Sequence, residues 1–393
     1  MVASIQSLHC IYTMAVQPSL VIFLFLDFLL GAAYLSFSSR DDFAEQSAIR
    51  RSHPTRNLQA VIKIPASDNA PYYYQYESHL LPLPDGVAME HAHGIHISDD
   101  DSRIIITYQD KMDDSKCLLQ WSGDLAKPAT FLGPGSSLCA GNPHGLTAIV
   151  DEGETFLYHA NNDQHLSKTR TDGTVLWTHQ HTPPDAARNT TFKPTWISGQ
   201  PDSPYIYLAD GYGSSRIYQM YKHNGTYTGR FFGGTGTDNG YFQTSHGLSW
   251  DWRFGHLVVS DRENYRLQYF RINPLEPYIF DYLGQQSFVS KNLFRPCNIR
   301  FHPTTQQAII PFLEGNVGIY QRSEKPFVQR LEGILNISQQ MGSMGFLHPH
   351  DAHFLSNGDF VLVTWNPGRI GYFRKVVEYI SDEPNDTVKI RID

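Results

Sequence analysis

Three histidines in this sequence stand in phrases of one pattern: Pro143-His144-Gly145, Ser245-His246-Gly247 and Pro349-His350-Asp351. A single imidazole in such a phrase reads as a satisfied core residue. The spacing changes that reading. Residues at the equivalent point of each phrase are His93, His144, Thr195, His246, Cys297 and His350, at intervals of 51, 51, 51, 51 and 53 residues. A constant period of about 50 residues is a structural repeat, so these six residues occupy equivalent places in the fold. Histidine at units 2, 4 and 6 of a closed ring places three imidazoles a third of a turn apart. Zinc takes imidazole nitrogens, three of them in a catalytic site with the fourth position open. His144, His246 and His350 are therefore expected to form a zinc tripod. Descent of the repeat does not explain them, because Thr195 and Cys297 hold the same position without an imidazole.

Other candidates surround this tripod. His93, within the run Glu90-His91-Ala92-His93-Gly94 and close to His96, could be an extra ligand, a donor to a ligand, a substrate contact or a plain channel-wall residue. Asp351 follows His350 and could hold a hard cation such as calcium, or cap a turn. Asp210 and Asp261 are also 51 residues apart, which puts Tyr212 and Arg262 just beyond equivalent strand ends, at one mouth of the ring. A phenol beside a zinc ion has its pKa lowered and can act as base or nucleophile. A guanidinium there matches a carboxylate or a developing oxyanion.

The elements that must carry these residues follow from the repeat. After each marker residue comes an apolar stretch, a polar turn, and a second apolar run such as RIIITYQ, TFLYHAN, YIYLADG or HLVVSDR. A third strand and, in most units, a fourth complete the pattern. Four short strands per unit of this length is the signature of propeller blades. The fold expected is all-β, a six-bladed β-propeller whose first strands line a central channel. It covers residues 57–393, and Asn57–Ala66 is expected as an outer strand closing the last blade.

Composition agrees with a globular, strand-rich chain: 41% hydrophobic, 13% aromatic and 18% charged over 393 residues. The formal net charge of −8 argues against nucleic acid as a partner. Residues 1–39 read as a signal peptide or a membrane anchor, because Leu20–Phe37 is apolar apart from Asp27 and no Lys or Arg precedes Arg40. Residues 40–56 read as a polar linker. N-glycosylation sequons at Asn189, Asn224, Asn336 and Asn385, beside that leader, favour the secretory pathway, with the chain secreted or anchored on the lumenal side. Cys117 and Cys139 could pair in an oxidising compartment or remain two buried thiols.

The phrases DGYGSSRIYQ, HGLSWDWRFGHLVVSDRENYR, NPHGL and HPHDAHF resemble the peptidyl-α-hydroxyglycine α-amidating lyase family, over roughly residues 88–375. The resemblance implies a six-bladed propeller of the NHL type. It implies zinc on His144, His246 and His350, a catalytic Tyr212, and Arg262 positioning the substrate or the oxygen on zinc. It also implies a structural calcium held by the Asp351 carboxylate and the Leu146 carbonyl. The family's reaction splits a peptidyl carbinolamide into an amide and glyoxylate, and its usual partner activity, a copper monooxygenase, would be a separate protein here. One departure is visible: the arginine implied in the first blade is replaced by Ala92 and His93. A different carbinol or small-molecule substrate, a zinc hydrolase of esters or lactones, and a non-catalytic NHL propeller binding a protein or glycan are the alternatives.

Overall fold

A computed structural model describes residues 61–64, 72–133, 138–180, 182–183, 191–273, 280–323, 327–376, 378–381 and 388–391. All of these lie in the compact unit Leu58–Asp393. The leader and linker expectations fall on residues outside the described ones. No helix among the described residues is long and apolar enough to cross a membrane.

Six antiparallel sheets follow one another along the chain, as a six-bladed β-propeller. Blade 1 runs Met89–Ile97, Arg103–Asp110, Leu118–Ser122 and Thr130–Phe131. Blade 2 runs Pro143–Asp151, Glu154–Asn161, Leu166–Arg170 and Val175–His179. Blade 3 is Trp196–Ser198, Tyr205–Ala209, Arg216–Tyr221 and Tyr227–Gly233, and blade 4 is Ser245–Asp251, His256–Asp261, Arg266–Ile272 and Phe280–Ser287. Blade 5 is Arg300–Phe301, Gln307–Phe312, Asn316–Arg322 and Gln329–Asn336. Second strands read as unbroken apolar runs because each is covered on both faces by neighbouring blades: Ile104, Ile105 and Ile106 are all buried. The described core is accordingly divided into six apolar clusters, each joining adjacent blades.

Closure of the ring differs from the sequence expectation in one respect. Blade 6 contains Pro349–Phe354, Phe360–Thr364 and Arg369–Val376, and the N-terminal Tyr72–Tyr76 pairs with the last of these as its fourth strand. Val61–Ile64, inside the expected Asn57–Ala66, pairs outside it as a fifth. Tyr72–Tyr76 carries no period-2 alternation to betray it. Its residues are buried on both faces, with Tyr74 stacked edge-on against Phe360. A disulfide joins Cys117 to Cys139, tying blade 1 to the approach of blade 2. Of the four sequons, Asn224 lies in a turn and Asn336 is exposed at a strand end. Asn189 and Asn385 fall outside the described residues.

A repeated clasp sets the start of each first strand. The side chain ending the second strand accepts a backbone N–H from just ahead of that blade's own marker: Asn161 from Asn142, Asp210 from Lys193, and Asp261 from Gln243 at 2.7 Å. This explains the 51-residue interval between Asp210 and Asp261, and it aims the residues that follow them, Tyr212 and Arg262, at the same mouth.

Two histidines away from that mouth carry a pH dependence. His96 and His159 are buried, and burial pushes the pKa of each down to about 3. An unfolded histidine titrates near about 6.5. Below that pH the unfolded chain takes up protons that the folded one refuses, so stability falls as pH drops. The slope is roughly 1 kcal/mol per pH unit per ring. The melting temperature is expected to fall between pH 7 and pH 5, and His159→Gln to flatten part of that fall in thermal scans.

Candidate metal and catalytic site

Four imidazoles meet at one level of the channel. Ring centroids lie 4.5 Å apart for His93 and His144, 4.7 Å for His93 and His350, and 4.8 Å for His144 and His350. His246 stands 5.0 Å from His144 and 4.8 Å from His350. All four are buried. Burial holds the pKa of His93, His144 and His246 well below the ordinary range and that of His350 down to about 4. The rings are therefore neutral near pH 7, the form that binds metal.

The proline-histidine-glycine phrase acquires a physical reason here. His144 Nδ1 donates to the Thr195 carbonyl, His246 Nδ1 to the Cys297 carbonyl and His350 Nδ1 to the His93 carbonyl, each at 2.8 Å. Each histidine is thus anchored on the marker residue of the next blade, and its Nε2 is turned to the channel as a lone-pair donor. The following glycine allows that carbonyl to approach. A Cβ on Gly145 would lie 2.4 Å from the Thr195 carbonyl oxygen, and one on Gly247 2.5 Å from that of Cys297. Thr195 keeps a tie between blades without an imidazole, its hydroxyl donating to the Ser245 carbonyl at 3.1 Å.

Among the described residues, the set whose ligand atoms all lie within 4.8 Å of one another is His93, His144 and His350. His246 belongs to the same ring of imidazoles, but its Nε2 accepts the Tyr212 hydroxyl at 3.0 Å. His144 Nε2 and both ring nitrogens of His93 are buried without a hydrogen-bond partner. Unpartnered buried nitrogens converging on one point fit a metal ion.

Tyr212 and Arg262 occupy the mouth as expected. Arg262 Nη1 donates to the Tyr212 hydroxyl at 2.9 Å, and its Nε to Glu263 at 3.0 Å. Glu263 in turn accepts from Arg295, which also reaches Glu314. Tyr212 is 37% exposed, so solutes reach it, and its hydroxyl is held by hydrogen bonds to Arg262 and His246. Burial pushes the phenol pKa up, and the Arg262 charge opposes the rise. His91 lies edge-on beside His93, with ring centroids 6.1 Å apart, and also stacks on Trp365. The buried thiol of Cys297 holds the blade 5 position, its pKa pushed up to about 12 by burial.

The calcium expectation does not fit. The Asp351 carboxylate and the Leu146 carbonyl do converge, but the guanidinium of Arg300 lies between them. Arg300 Nη2 donates to Asp351 Oδ2 at 2.9 Å and to the Leu146 carbonyl at 2.7 Å, and Nε reaches Asp351 Oδ1 at 3.2 Å. The Ile95 amide and the Asn298 side chain fill the remaining carboxylate positions. Calcium asks for six to eight oxygens. Here a resident cation has taken the available ones.

Two residues with no sequence signal complete the floor. The Trp196 ring lies under the histidines, 6.4 Å from His350 with the rings near parallel, and its Nε1 donates to Thr147 Oγ1 at 2.8 Å. Arg300 packs on the same ring. Beyond them the opposite end of the channel opens into a cavity of about 330 Å³ lined by Ser98, Thr147, Ser198, Ser249, Arg300 and Phe354. The imidazoles, Tyr212 and Arg262 all lie at the other end of the channel.

No protein-family profile matches the chain. It is 29% identical over 140 residues to the peptidyl-glycine alpha-amidating monooxygenase of Mus musculus and 28% identical over 138 residues to that of Rattus norvegicus. Each match covers 34% of this chain and 14% of the relative, so the similarity is to a small part of those proteins. A solved structure from Bacteroides fragilis, provisionally assigned as a 6-phosphogluconolactonase, superposes with a TM-score of 0.50 at 16% identity, over 79% of this chain and 89% of that one. That likeness concerns the fold.

Proposed function

We propose that this chain is a zinc-dependent carbon–nitrogen lyase that splits a carbinolamide, R–CO–NH–CH(OH)–COO⁻, into the amide R–CO–NH2 and glyoxylate. The observation that carries this reading is the Tyr212 hydroxyl, held between Arg262 and a channel imidazole beside a cluster of unpartnered histidine nitrogens. The partial similarity to two proteins named for α-amidation supports the same class of substrate.

A zinc ion on the imidazoles would supply positive charge that acidifies the substrate hydroxyl and the neighbouring phenol. Tyr212, ionised, takes the proton of the carbinol hydroxyl, and Arg262 stabilises the phenolate before that transfer. As the carbonyl of glyoxylate forms, the C–N bond breaks and its electron pair stays on nitrogen, which receives the proton back from Tyr212. No water or oxidant is consumed. With His93 in place of the first-blade arginine, Arg262 is the guanidinium beside the imidazoles that a substrate carboxylate would meet.

Such a substrate would come from hydroxylation of a glycine-extended amide by a separate copper monooxygenase. The Cys117–Cys139 disulfide supports an oxidising compartment, and with it passage through the secretory pathway.

Zinc-loaded protein mixed with an α-hydroxyglycine amide is expected to release stoichiometric glyoxylate. A zinc-loaded chain that releases none defeats the reading, whether it then hydrolyses a lactone or acts on nothing. Tyr212→Phe is expected to lower kcat roughly 10²–10⁴-fold, the usual scale for a lost acid–base group, without loss of zinc by metal analysis.

A further inference from the structure

We propose that the channel carries a second ligand site at the end away from the imidazoles, and that this site takes a neutral polyhydroxy compound, a pyranose sugar by its chemistry. The inference stands apart from the lyase reading and uses none of the residues placed in it.

The residue three places after each marker repeats the ring pattern: His96, Thr147, Ser198, Ser249, Arg300 and His353. All six line the cavity of about 330 Å³. Strict alternation along a strand would turn them away from the face the markers share. The first strands of blades 1, 2, 4 and 6 are irregular at the marker, however, and a bulge there returns the later residue to the channel. A packed core would take apolar side chains at these places, yet every one of them is polar.

Several of these groups have no partner among the described residues. Arg300 is 8% exposed. Its Nε and Nη2 are spent on Asp351, Ile95 and Leu146, while Nη1 bonds to nothing and is not sealed from solvent. The Ser198 hydroxyl and both nitrogens of His96 are in the same condition, on residues 1% and 6% exposed. His353 Nδ1 donates to the Phe354 carbonyl, which leaves the Nε2 lone pair. Thr147 Oγ1 accepts from Trp196 Nε1 and keeps its own proton to give. Polar groups this deep and short of partners favour a ligand that supplies them.

Charge selects the ligand. Asp351 already offsets Arg300, and Asp99 and Asp101 line the same cavity, so an anion gains little there. A cation would meet the guanidinium. Burial keeps His96 and His353 neutral, each with one ring nitrogen to donate and one to accept. Sugar hydroxyls also do both, and so match this ring. Trp250 and Trp252 line the cavity as well, Trp252 being 47% exposed, and an indole face suits the C–H face of a pyranose.

Saturation-transfer NMR on the full chain tests this, with D-glucose, D-galactose, D-mannose and N-acetyl-D-glucosamine as probes and acetate and D-gluconate as anionic controls. At least one of the four sugars is expected to bind saturably, with a Kd of about 1 mM or tighter. Ser198→Ala and Trp252→Ala are each expected to weaken that binding about tenfold. Trp252 is exposed, so its variant should keep the parent melting temperature, and it carries the test if Ser198→Ala fails to fold. No saturable binding by any of the four sugars overturns the proposal. So does tighter binding of either anion, or sugar binding that a folded variant leaves unchanged. The lyase reading stands or falls separately, on glyoxylate release.

Discussion

Replacing His144 with alanine is expected to lower zinc affinity by roughly 10²–10⁴-fold and to abolish glyoxylate release. Apparent binding energies of structural zinc sites are about 10–16 kcal/mol, so one ligand of three or four accounts for about 3–5 kcal/mol. His144 is the residue to test first because it belongs both to the expected tripod with His246 and His350 and to the converging set with His93 and His350. Its ring touches those of His93, His246 and His350, and its Nε2 is among the unpartnered atoms. The substitution also removes the Nδ1 contact to the Thr195 carbonyl, so it should be paired with His144→Asn, which keeps polarity but presents no imidazole. Isothermal titration with zinc and the glyoxylate assay provide the readouts. Full activity with unchanged zinc content in either variant would remove the imidazoles from the chemistry.

The second large effect lies just below the ring. Asp351→Ala is expected to destabilise the fold by about 3–5 kcal/mol, because it strands the Arg300 guanidinium in a buried site. That corresponds to a fall of roughly 5–15 °C in melting temperature. Arg300→Met should cost less, since Asp351 keeps the Ile95 amide and Asn298 as donors and the aliphatic chain still packs on Trp196. The same geometry predicts that a calcium-selective chelator leaves the melting temperature of the parent chain unchanged. A drop on chelation that added calcium restores would show a cation where the guanidinium now lies. So would a calcium-dependent rescue of Arg300→Met, and that outcome would isolate arginine as the substitute for the ion.

Both predictions depend on features that differ in how far the sequence announces them. Blade number was legible because a repeat multiplies a weak local signal: six marker residues at a near-constant interval outweigh any single strand assignment. Tyr212 and Arg262 were legible through the interval between Asp210 and Asp261, which the backbone clasp explains. Tyr72–Tyr76 was not legible, because a strand buried on both faces shows no alternation and it pairs with a partner some 300 residues away. Trp196 and Arg300 were equally silent. Trp196 follows the marker Thr195 and Arg300 comes three residues after the marker Cys297, and neither marker carries an imidazole to draw attention to its neighbours.

Sequence by itself determined the six-unit ring, the level at which the histidines meet and the mouth at which a tyrosine and an arginine join them. Periodicity is additive along a chain, and it transfers directly into angular position once the ring closes. Only the tertiary structure decided which imidazole nitrogens are left without partners, that Tyr212 has claimed His246, and that Arg300 takes up the oxygens expected to hold calcium. Those outcomes turn on contacts of about 3 Å between blades far apart in sequence, where one lone pair or one carboxylate can serve a single partner, and no spacing rule specifies which partner that is.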